Sequence, residues 1–135
     1  MRWLWLGLAL CLAIGCGSSG PFEYVPISGK VVYEDGTPLP LAGARIQFYP
    51  LDVTISDDVH PRPALATLDA GGAFDAATSH KYGDGLIPGK HKVVIQADAV
   101  QNGKAIFPPA CGDLDKTPLM VDTADLPLEI KVPRP

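Results

Sequence analysis

The sequence predicts an all-β protein, a sandwich of seven short strands. Three observations point there. Fourteen glycines and fourteen prolines are spread along the 135 residues, and together they stay below the roughly 25–30% that marks low-complexity sequence. Several segments alternate apolar and polar residues with the two-residue period of a strand. No window carries an apolar stripe of helical period and useful length. With 47% hydrophobic and 19% charged residues, the chain can bury a core and lacks the composition of a disordered one.

The elements follow in order. In residues 27–34, Ile27, Val31 and Tyr33 share one face and Ser28, Lys30 and Glu34 the other, with Val32 an exception. Asp35-Gly36-Thr37-Pro38 is a turn signal. The next strand places Ala44, Ile46 and Phe48 inward. Asp69-Ala70-Gly71-Gly72 separates residues 64–68 from 73–77, so these two segments read as a hairpin. Residues 90–97 form the strongest strand, with His91, Val93, Ile95 and Ala97 on one face. Residues 119–121 and 126–132 supply two more, with Pro127 at the start of the last, where a missing N–H is tolerated.

Before the strands comes an address. Arg2 precedes the apolar run Trp3 to Ile14. That run is well short of the roughly 20 residues a spanning helix needs, but it fits the core of a secretory signal peptide. Ala13-Ile14-Gly15-Cys16 at its end resembles a bacterial lipobox, and polar Gly17-Ser18-Ser19-Gly20 follows. Cys11 does not fit, because bulky Leu10 occupies the cleavage position. The resemblance implies a signal peptide over 1–15, removed on maturation, and a diacylglycerol thioether on Cys16. It also implies a tether within 16–25 and a folded domain over 26–135. Several acyl chains hold a soluble domain durably where one would not. By analogy with lipoprotein sorting, Gly17 after the cysteine favours the outer membrane over the inner. The alternative is a secreted protein whose cysteine at this place is incidental.

The stretches "ISGKVVYEDGTPLPLAGARIQFYP", "DAGGAFDAAT" and "GDGLIPGKHKVVI" resemble carboxypeptidase-regulatory-like domains. These have the transthyretin (prealbumin)-like fold and occur in small bacterial lipoproteins. The resemblance covers residues 26–132 and implies a seven-stranded Greek-key β-sandwich. His91 stands where that family usually carries an aromatic.

Charge and motifs narrow the chemistry. A net charge of −4 and a pI near 5.2 give no basic footprint for nucleic acid. No Gly-x-Ser-x-Gly, His-Glu-x-x-His or phosphate loop occurs. The hydroxyisourate hydrolase of transthyretin-like fold would need an early-strand histidine and a Tyr-Arg-Gly-Ser terminus. This chain ends Lys131-Val132-Pro133-Arg134-Pro135, so no catalytic residue and no enzyme is expected. His60 and His80 read as solvated loop residues and His91 as a histidine at the rim of the core. Asp52, Asp57 and Asp58 in one loop and Asp113 and Asp115 in another lack the ordered series of a Ca²⁺ loop. Cys111 with a histidine is not a metal site. It reads as a partly buried single thiol that could pair between molecules in an oxidising compartment.

The expectation is therefore a lipid-anchored, non-catalytic module of the bacterial cell envelope. It would have no cofactor or metal and would work through protein or glycan contacts. Loops 50–63 and 101–118 are the expected contact surfaces, because long loops on a rigid sandwich carry recognition. The alternative function is a small-ligand or metal-binding lipoprotein of the periplasm using the acidic loops with His60 or Cys111.

Overall fold

The computed structural model describes residues 22–51, 53 and 60–135. Within them the chain is all-β. Its strands are β1 (Gly29–Tyr33), β2 (Arg45–Pro50), β3 (Ala64–Thr67), β4 (Ala73–Phe74), β5 (Lys90–Gln96), β6 (Val100–Gln101), β7 (Lys104–Ala105), β8 (Met120–Asp122) and β9 (Leu128–Val132). One 3-10 turn, Pro109–Gly112, is the single helical element among the described residues.

Three strands form a sheet in the order β4-β1-β9 and four form another in the order β3-β2-β5-β8. The remaining pair, β6 and β7, is a separate ribbon. Pairing is antiparallel throughout, except that β1 and β9 run parallel from Gly29 beside Leu128 to Tyr33 beside Val132. Side chains of both sheets share one core, in which Val31, Phe74 and Ile130 meet Ile46, Phe48, Val93 and Ile95. Phe48 and Phe74 touch across the gap between the sheets, with ring centroids 5.9 Å apart. Burying either ring contributes about 1.5–3 kcal/mol.

The alternation in β2 and β5 places residues as the sequence predicts. Ile46, Phe48, His91, Val93 and Ile95 are buried, and Ala44 and Ala97 pack against the core. Val32 is buried although it points away from its neighbours' face. The chain after the first turn explains this by folding back alongside β1. There Val32 bridges to Pro38, and the Leu39 N–H donates to the Val31 carbonyl. Leu39 and Leu41 join the core as a result.

Two expectations are corrected. Residues 64–68 and 73–77 do not form a hairpin sheet, since β3 pairs with β2 and β4 pairs with β1. The turn itself forms: the Asp69 carboxylate accepts from the Gly71 and Ala73 N–H groups, and Gly72 takes φ +75°. Its second limb then crosses to the other sheet, where Phe74 fills the core, and only Leu65 and Thr78 still bridge the limbs. Segment 101–118 is likewise no open loop. It begins with the ribbon turn at Asn102-Gly103 and buries Ile106, Phe107, Cys111 and Thr117. Tyr33 Oη donates to the Ile106 carbonyl at 2.6 Å, and Thr117 Oγ1 donates to the Val93 carbonyl at 2.7 Å. The segment therefore closes one end of the sandwich.

Candidate functional site

Cys16 and the residues 13–15 before it lie outside the described residues, as do Asp52, Asp57 and Asp58. The described chain enters the sandwich through Val25, whose N–H and carbonyl pair with those of Leu86 at 2.7 and 2.9 Å. This pair is possible because Gly85, with φ +104°, has no side chain. A Cβ there would collide with the Val25 carbonyl.

The loop that leads into Gly85 is organised around one carboxylate. Asp84 accepts from the backbone N–H groups of Ser79, His80 and Lys81 at 2.8, 3.0 and 2.8 Å. Ser79 Oγ donates to the Gly85 carbonyl, and the Gly83 N–H donates to Thr78 Oγ1. Burial pushes the Asp84 carboxyl up, but the three N–H donors outweigh it and hold the group below its ordinary value. The same loop shapes its neighbour Tyr24. Burial first and the Asp84 charge second raise the Tyr24 phenol, against a backbone hydrogen bond at Phe22 and the charge of Arg62. At the loop's tip Tyr82 is 98% exposed. A fully solvated aromatic on a tightly bonded loop is unusual, because aromatic rings carry large apolar area and anchor contacts when presented rigidly.

The histidines do not converge. His91 is buried, and its Nε2 donates to the Ile87 carbonyl at 2.7 Å, which suits a core position rather than chemistry. His60 and His80 are exposed in different loops. Asp113 uses its carboxylate to accept from the Asp115 N–H, closing a local turn. Among the described residues, no group of three or more His, Cys, Asp or Glu is placed to hold a metal ion.

Cys111 is a correction. It is wholly buried, not partly, and intermolecular pairing from that position would require the end segment to open. Burial pushes its thiol up and keeps it protonated.

A shallow groove of about 310 Å³ runs along the margin where β8 and β9, the outer strands of the two sheets, lie side by side. Lys90, Asp122, Asp125 and Glu129 line it together with the half-exposed Met120.

No protein-family model matches the chain, and no curated protein or solved structure does either. The loop 79–85 was not singled out from sequence. Its available signal was Thr78-Ser79 followed by Asp84-Gly85, a pattern of short polar side chains able to bond nearby backbone. The Asn102-Gly103 dipeptide was an equally available signal for the ribbon.

Proposed function

We propose that this protein is a lipid-anchored, non-catalytic module of the bacterial cell envelope. Diacylglycerol on Cys16 holds it to the membrane, more consistently with the outer than the inner one. The sandwich acts as a binding or structural unit through protein or glycan contacts. The observation that carries this reading is the junction itself: a short apolar leader ends in Ala13-Ile14-Gly15-Cys16, and a compact β-domain begins shortly afterwards at Val25. The three- and four-stranded sheets around one core support the transthyretin-like, carboxypeptidase-regulatory-like Greek-key reading of the domain.

Mass spectrometry of the protein from its native membrane tests the anchor. The expected N-terminal peptide begins at Cys16 and carries acyl chains. A bare N-terminus there, or a chain still starting at Met1, removes the basis of the proposal.

A further inference from the structure

The place where the chain enters the sandwich decides which end of the domain meets the membrane. Only residues 17–21 separate Cys16 from Phe22, the first described residue. Fully extended, that stretch spans no more than about 22 Å. The Val25–Leu86 pair lies at the end where β1 begins, beside Phe74 and Leu128. The ribbon lies at the other end, where β1 finishes and Tyr33 bonds to Ile106.

The loop 79–85 is fastened to the entering chain through Gly85 against Val25 and Pro26. Among the described aromatics, Tyr33, Phe48, Phe74 and Phe107 are buried in the core and Tyr49 is half-buried in β2. Phe22 and Tyr24 are half-buried on the entering chain, and Tyr82, on the loop fastened to it, is almost wholly exposed beside Leu65 and Asp75. Lys81 stands beside Tyr82, and Arg62 acts on Tyr24. The acidic groups here are Glu23 and Asp75, both exposed, with Asp75 beside Tyr82 and near Pro26 and Ser28, and Asp84, whose carboxylate is engaged by three backbone N–H groups.

We infer that loop 79–85 is a second, non-covalent membrane contact, with Tyr82 seated at the headgroup level of the bilayer and Lys81 at its phosphates. This rests on the reading of Cys16 as the lipid anchor. Tyrosine favours that interface because its ring is apolar and its hydroxyl stays wet. One tyrosine and one lysine would bind a bilayer weakly from solution. A tether this short makes the contact intramolecular, so a weak interaction is enough to orient the domain. The domain then stands with its ribbon end directed away from the lipid.

Trp3 and Trp5 are the chain's two tryptophans, and both precede Cys16. A Tyr82→Trp variant of the mature protein therefore carries a single reporter. We would extract the lipidated protein and reconstitute it in phosphatidylethanolamine–phosphatidylglycerol vesicles with bromine on the acyl chains. A Val100→Trp variant, on the exposed ribbon at the far end, is the comparison. The expected result is a blue-shifted indole emission from the Tyr82→Trp protein, quenched several-fold more than that of the Val100→Trp protein. Adding Lys81→Glu to the first variant should reduce its quenching. If both variants float with the vesicles and their emission is equally unquenched, the inference is overturned and the loop faces soluble partners instead. If neither variant floats and Cys16 is bare by mass spectrometry, the anchor reading itself fails, and this inference with it.

Discussion

At the residue scale, the clearest electrostatic contact joins the stretch after β9 to the turn after β1. Arg134 donates from Nη2 to Asp35 Oδ2 at 2.6 Å, and its guanidinium lies 3.9 Å from the centroid of the Tyr33 ring. The hydrogen bond from Arg134, followed by that from the Thr37 N–H, lowers the Asp35 carboxyl to about 2. The ordinary value, near 3.9, holds in the unfolded chain. Because the folded value is the lower one, the contact's contribution to stability is complete only above about pH 5, where the unfolded carboxyl is also ionised. It fades as the pH falls towards 2. Both side chains are more than half exposed, so that contribution is small. Replacing Arg134 with alanine should return Asp35 most of the way to its ordinary value in an NMR titration. A titration curve that does not move would refute the assignment.

At the element scale, two glycines separate the cost of backbone conformation from the cost of crowding. Gly43 has φ +82° with open space where a Cβ would point. Gly43→Ala should therefore cost only about 1–2 kcal/mol, the strain of a left-handed residue. Gly85 has φ +104° and the Val25 carbonyl in that space, so Gly85→Ala must also displace the entering strand. Chemical denaturation should show a larger loss for Gly85→Ala than for Gly43→Ala. Amide exchange at Val25 and Leu86 should quicken at least about tenfold. Equal losses with unchanged exchange would mean that the loop and the entering chain are not fastened as described.

At the scale of the whole molecule, segment 98–118 behaves as a cover over one end of the core, and Cys111 reports whether it is shut. In a chain with Cys11 and Cys16 changed to serine, Cys111 should react with a thiol reagent only as fast as the domain opens. Tyr33→Phe removes the hydroxyl that satisfies the buried Ile106 carbonyl, a loss of about 1–2 kcal/mol. It should speed labelling by roughly 5–30-fold. Rapid labelling of the unsubstituted domain would show that the cover opens on its own, without global unfolding.

Much of this architecture is legible in the sequence. Alternation in residues 44–48 and 90–97 named the inward side chains, including His91, and the Gly- and Asp-bearing turns divided the strands at the right places. Such patterns record which face a residue takes, because successive side chains point to opposite sides of a strand. They do not record which strand lies alongside. That choice belongs to packing between residues distant in the chain, and it sent β4 across to β1 so that Phe74 could meet Phe48. Packing also turned a polar, proline-rich stretch into a cover, since Phe107 and Cys111 gain more from the core than from water. It brought Ser79, Lys81 and Asp84 around the place where the chain enters, leaving Tyr82 exposed at the tip. The reading of Cys16 needs none of this. The proposed lipobox is a linear pattern of small residues before a cysteine, so it is read from the sequence alone, whereas the direction in which a domain anchored there would face is a property of the fold.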